Sequence, residues 1–229
     1  LRGRIESHRL PEAAEEIRAL LRMPEARQEF DLRLLLLSAL GDILFQYDLQ
    51  GSQAVWTEAR AIASHSGHSA WEARCDGELG TIAFLSGNVI QAVGLVSTAA
   101  FRAETNNDVA SQIRYSTALG EGLVKFGRYP DALRFFDRAL RIHNQNDKSY
   151  FPFTAFIGKA RLLARTGRHV EGQRMLSEGL EEARRRGYKV RQARLLAALG
   201  DLAEAAGRDE EALRALAEAA DKAAAAGLY

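Results

Sequence analysis

The apolar positions of this chain keep a helical period. In "YPDALRFFDRALRI", Ala132, Leu133, Phe136, Ala139 and Leu140 fall at i, i+1, i+4, i+7 and i+8. That spacing gathers them on one face of a helix. The segment before it, "YSTALGEGLVKF", carries apolar residues at the same period. Between the two stands Gly127, where the first helix must stop, because glycine accepts the left-handed backbone that ends helices. Pro130 then suits the first turn of the second helix, where no amide donor is missed. Polar stretches such as "TNND", "HNQND" and "RRRGY" separate such pairs. The expected unit is a hairpin of two antiparallel helices.

The unit repeats. Gly80, Gly120, Ala160 and Gly200 stand in one column, and Gly87, Gly127, Gly167 and Gly207 in a second. Ala92, Ala132, Gly172 and Ala212 form a third, and Ala99, Ala139, Gly179 and Ala219 a fourth. Small residues at Gly120 and Ala132, on facing helices, would let the two backbones approach. An earlier block fits with small shifts: Leu40-Gly41 matches Leu119-Gly120, and Asp48 stands in the place of the turn glycine. Before it, "HRLPEAAEEIRALL" reads as half a unit, with Pro11 and Ala13 placed as Pro130 and Ala132 are. The expected organisation is one array: a partial unit over 1–31, then full units over 32–70, 71–110, 111–150, 151–190 and 191–229. The chain opens with Leu inside a repeat, so a piece of a longer protein is expected.

In "ALGEGLVKFGRYPDALRFFDRAL", Leu119, Gly120, Gly127, Ala132, Phe136 and Ala139 resemble the tetratricopeptide repeat. The likeness runs over residues 32–229 and is carried by all the units together. Two features depart from the family pattern: the period is longer, and the proline that ends the second helix is missing. The extra residues should lengthen the end of each second helix and the start of the next first helix. Longer units of this kind are similar to those of kinesin light chains and bacterial multidomain regulators. The resemblance implies an all-α fold, a right-handed α-α superhelix of stacked hairpins with the first helices lining the concave side. It implies a noncatalytic scaffold that binds a peptide or partner protein in that groove, in a regulatory role. The alternative is an effector- or inhibitor-sensing domain of a bacterial transcription regulator or signalling ATPase. The Lys/Asn clamp with which some family members hold chaperone C-termini is absent, so that partner is not expected.

Composition agrees with a folded helical protein. The 229 residues are 47% hydrophobic and 27% charged, with only four prolines. A net charge of +1 gives no global electrostatic case for nucleic acid or membrane. The longest apolar run, "LLLLSALG", is well short of the ~18 residues a membrane helix needs. No signal-peptide pattern is present. Cys75 is the only cysteine, which excludes an intrachain disulfide and fits a reducing, cytoplasmic setting.

Candidate chemistry is sparse. Gly120-x-Gly122 and Gly127 beside Lys125 and Arg128 invite a phosphate-loop reading. Such a loop needs glycines between a strand and a helix N-terminus, and these lie in helix-periodic sequence. "HSGH", His65 to His68, supplies two potential metal ligands but no third. Cys75 has no base beside it and reads as a packing residue. Glu181-Glu182 and Glu210-Glu211 read as solvated helix charge. The cations of "ARRRGYKVRQAR" form one short run in a turn, and the last unit is net acidic, so nucleic acid is not the expected partner. No cofactor or metal is expected.

Helical geometry picks the groove residues. Counted from the Leu-Gly glycine, positions −4, −1, 0 and +3 face the partner helix, and −6, −3, +1, +4 and +5 form the other stripe. That stripe offers Asp42, Phe45 and Gln46, then Arg74, Thr81 and Phe84, then Arg114, Thr117, Glu121 and Lys125. It continues with Arg161 and Arg165, then Arg194 and Asp201. Arg74, Arg114 and Arg194 share one column, so the groove should be apolar at its start and basic in the middle. An acidic peptide with an apolar anchor would suit it, since the planar guanidinium binds two carboxylate oxygens. The same arginines could instead pair with Glu121, Asp201 and Glu204 across the groove. A stop at Tyr229 would leave Leu213 and Leu216 of the last helix partly bare, so further sequence or self-association is expected.

Overall fold

A computed structural model describes residues 10–146 and 151–226. His8, Arg9, Asp147 and Leu228-Tyr229, at the edges of three stretches read above, lie outside them. Among the described residues there are twelve helices and no strand. They are α1 (Leu10–Leu21), α2 (Pro24–Gln28), α3 (Phe30–Leu44), α4 (Leu49–His65), α5 (Ser69–Leu85) and α6 (Val89–Thr105). There follow α7 (Val109–Lys125), α8 (Tyr129–Gln145), α9 (Phe153–Arg165), α10 (His169–Arg185), α11 (Lys189–Ala205) and α12 (Asp209–Ala224). The chain forms two compact units, Leu1–Ser111 and Gln112–Tyr229. Within the first, α3 packs on α4, α4 on α5 and α5 on α6. Within the second, α8 packs on α9, α9 on α10, α10 on α11 and α11 on α12. The expected all-α class of stacked hairpins is what the structure shows. α1 takes the place of a second helix: its buried Leu10 and Ala14 pack with Leu40, Ile43 and Leu44 of α3.

Each of α4, α5, α6, α7, α8, α10 and α11 has 17 residues. Most are joined by three-residue turns built in one way. Gly67, Gly87, Gly127, Gly167, Gly187 and Gly207 sit at φ between +69 and +88°, and Asn107 at +53°. The residue after each donates its N–H five residues back, as Asn88 does to Ala83 O (2.9 Å), Arg128 to Leu123 O (3.0 Å) and Tyr188 to Ala183 O (2.9 Å). This is the Schellman closure, which satisfies carbonyls a helix end leaves open. The turn between hairpins is thus the same as the turn within one. The added length of the repeat is shared evenly by first and second helices.

Two places break the rhythm. Asp48 does not replace the turn glycine. It caps α4, accepting the Gly51 N–H on its side chain at 2.9 Å. α9 has 13 residues and starts after Pro152, whose carbonyl accepts its first bond, from Phe156 N–H (3.0 Å). In register with the other first helices Pro152 would fall inside the helix, where it lacks a donor and clashes with the preceding turn.

The glycine column has a different partner from the one expected. A methyl group built at Gly41 would lie 2.5 Å from Trp56 Nε1, at Gly120 2.7 Å from Phe136 Cε1, and at Gly200 2.7 Å from Leu216 Cγ. At Gly80 it would lie 2.3 Å from Val96 Cγ2 and 3.2 Å from the Ala92 carbonyl. Each of these glycines chiefly seats a side chain of its second helix, and for Gly80, Gly120 and Gly200 it is the one a turn beyond the alanine. Ala132 itself is fully buried.

Candidate functional site

In the second unit, α7 and α9 bring their +1, +4 and +5 positions, and α11 its +1 and +5 positions, around one cavity of about 790 Å³. Glu121, Val124 and Lys125 come from α7, Arg161, Ala164 and Arg165 from α9, and Asp201 and Ala205 from α11. Ile157, Leu162 and Leu202 add apolar surface, and His169 stands at the edge. Phe136, from the second helix α8, backs the cavity beside Gly158. A methyl group at Gly158 would lie 2.6 Å from Phe136 Cζ, so the missing side chain is what admits the ring.

The charges here are partly engaged with each other. Arg161 Nη2 donates to Asp201 Oδ2 at 2.6 Å, with both side chains about half exposed. Such an exposed pair is worth at most about 1 kcal/mol, so a ligand carboxylate can compete for it. The Arg165 guanidinium lies 5.9 Å from the Tyr129 ring centre, and among the described residues it has no ion-pair partner. Desolvation among these side chains pushes the Glu121 carboxyl above the usual carboxylate range, while Lys125, Arg161 and Arg194 pull it back. Arg194 is exposed on α11. Arg114 is exposed, its guanidinium 4.9 Å from the Tyr115 ring centre and donating to the Tyr115 hydroxyl at 2.9 Å. Thr117 is buried and its hydroxyl donates back to Ile113 O at 2.8 Å.

In the first unit the corresponding stripe is more closed. Arg74 donates to Asp42 at 3.1 Å and lies 5.4 and 5.5 Å from the ring centres of Trp56 and Trp71. Thr81 bonds back to Gly77 O at 2.9 Å, and Phe84 is buried. Phe45 caps α3 half-buried, and Gln46 is exposed beside it.

One residue escaped the sequence reading. Asp76, on α5, has no exposed surface, yet Arg60 Nε of α4 approaches its Oδ1 at 2.6 Å and Arg102 Nε of α6 its Oδ2 at 3.7 Å. Arg102 also pairs with Glu72. Desolvation raises the Asp76 carboxyl above its usual range, against the pull of Arg60.

The remaining chemical candidates resolve into structure. Gly120 and Gly122 lie inside α7, and Gly127 is a turn. His65 ends α4, Gly67 makes the turn and His68 caps α5. Among the described residues no group of three or more His, Cys, Asp or Glu could hold a metal ion. Burial pushes the Cys75 thiol up to about 12, with Asp76 adding to the shift, so the nucleophilic thiolate does not form near neutrality. In the basic run, Arg184 bonds Glu181 (2.8 Å) and Glu218 (3.2 Å), and Arg185 and Arg186 both bond Glu182. Among the described residues no helix is long and apolar enough to cross a membrane.

Stacked helical hairpins of this length, closed by left-handed turns and carrying a small-residue column in each first helix, are the fold of tetratricopeptide-repeat proteins. No family model and no curated protein matches the sequence. Among solved structures, the chain is similar to BtubC (BKLC) from P. vanneervenii, with a TM-score of 0.68 at 16% identity over 97% of this chain and 91% of that one. It is similar to a Rap protein complexed with competence and sporulation factor, with a TM-score of 0.71 at 12% identity over 96% of this chain and 77% of that one. A third likeness is to a signal-transduction ATPase with a tetratricopeptide-repeat sensor from Pyrococcus horikoshii. Its TM-score is 0.70 at 12% identity, over 96% of this chain and 35% of that one.

Proposed function

We propose that this chain is a noncatalytic interaction module that holds an acidic peptide segment of a partner protein in the groove of its second unit. The observation that carries the reading is the cavity itself. Lys125, Arg161 and Arg165 rim an apolar floor of Val124, Ile157, Leu162 and Leu202. A carboxylate would meet the Arg165 fork, and an apolar side chain beside it would cover the floor. A peptide selection against the chain should enrich sequences that place Asp or Glu next to a bulky apolar residue. The Lys125→Glu/Arg165→Glu variant should bind the enriched peptides at least tenfold more weakly. Equal binding by both proteins would remove the groove from the reading.

A second reading, an effector sensor, has one observation in its favour. A concavity of about 790 Å³ is within the size range of small-molecule sites. The two readings part on ligand length. Truncating an enriched peptide to two residues should abolish binding to a peptide groove and spare binding to an effector pocket.

A further inference from the structure

Two mostly apolar columns of the repeat are broken at one place in the first unit. In register with Asp76 stand Leu37, Ser116, Phe156 and Leu196, and in register with Arg60 stand Ala100, Leu140, Leu180 and Ala220. Where the other units put mostly apolar residues, α5 buries a carboxylate against a guanidinium of α4 whose side chain is about half exposed. An ion pair with a buried carboxylate is often no more stable than the apolar pair that could replace it, because the carboxylate loses its water. Stability therefore gives little reason for this pair.

Its geometry gives a better one. Asp76 Oδ1 meets Arg60 Nε at 2.6 Å, and among the described residues Arg60 has no other ion-pair partner. Arg60 lines a cleft of about 460 Å³ between α4 and α6, over α5. Leu79, Ala83 and Leu95 give the cleft an apolar lining, and Gln53, Ser86 and Gln91 a polar one. Asn88 donates its side-chain amide to Gln91 Oε1 at 2.8 Å, which leaves Gln91 its own amide hydrogens to donate. A guanidinium fixed by a buried carboxylate is oriented before any ligand arrives, and that lowers the cost of binding.

The charge count narrows the ligand. Among the described residues that line the cleft Arg60 is the one charged group, so it can meet a single carboxylate but not a dianion, and the donors of the rim disfavour a cation. The aliphatic lining asks for a short hydrocarbon body. We propose that this cleft binds a small aliphatic monocarboxylate, with Arg60, positioned by Asp76, as the group that receives the carboxylate. The site is on different helices from the groove of the second unit and does not depend on it.

Isothermal titration with sodium hexanoate, and with hexylamine as the charge-reversed control, tests this. Hexanoate should bind saturably at one site per chain and hexylamine should not. Arg60→Gln should weaken hexanoate at least tenfold. Because that variant strands the buried Asp76, the decisive protein is Arg60→Leu/Asp76→Leu, which restores the apolar columns of the other hairpins. It should keep the wild-type circular dichroism and lose hexanoate binding. No saturable hexanoate binding to the wild type, equal binding of hexylamine, or unchanged binding by the double-leucine protein would each overturn the proposal.

Discussion

Phe136 is held from two sides. Methyl groups at Gly120 and Gly158 would lie 2.7 and 2.6 Å from its ring, and the ring has no exposed surface into which to retreat. Alanine is the better helix former by up to about 1 kcal/mol, yet overpacking a closed core costs about 1–3 kcal/mol. Gly120→Ala and Gly158→Ala should therefore each destabilise the chain in urea titrations. Phe136→Leu should cost less in the Gly158→Ala background than in the wild type, because the smaller side chain relieves the clash. Additive losses would mean that the ring moves freely. Gly120 was legible because it recurs in register. Gly158 stands in no column of glycines, and nothing in one dimension says that Phe136 reaches it. Asp76 was hidden for the same reason: Arg60 and Arg102 lie 16 and 26 positions away along the chain, and only packing brings them to it.

At the scale of helices and turns, the helical period and the glycine stops placed most elements before any coordinates. Comparing whole units concealed a shorter rhythm, the single helix and its turn. First and second helices bury different faces, so their sequences do not align with each other. Gly67, Gly187 and Asn107 accordingly read as loop residues, although their backbone repeats that of Gly87 and Gly127. The turn chemistry can be separated from packing. Nothing lies within 4 Å of a methyl group built at Gly127 (φ +70°) or at Gly94, inside α6. Gly127→Ala should still lose about 1–2 kcal/mol, since an L side chain opposes the left-handed conformation. Gly94→Ala should gain about 0.5–1 kcal/mol from the helix interior. Thermal melts of the two variants should move in opposite directions, and a shift of both the same way would contradict this account of the turns.

For the molecule as a whole, the shifted carboxylates set how stability follows pH, and they act with opposite sign. Asp76 has a folded-state pKa above its ordinary 3.8, so the folded chain keeps that proton to higher pH than the unfolded chain. Its contribution is full below 3.8 and is lost as pH rises through the raised value. The charged groups facing it are Arg60, Arg102 and Glu72, and their pairing limits the loss. Glu121 shifts in the same direction. Glu182 behaves in the opposite way, because hydrogen bonds from Arg185 and Arg186 lower it from 4.5 to about 2. Its contribution is full above 4.5 and is lost as pH falls towards 2. Urea unfolding followed from pH 2 to 7 should separate the two. Glu182→Gln should flatten the rise between 2 and 4.5. Asp76→Asn should flatten the fall above 3.8 while keeping the shape of the side chain. If Asp76→Asn leaves that upper limb unchanged, Asp76 is solvated in solution, and its hold on Arg60 is lost with it.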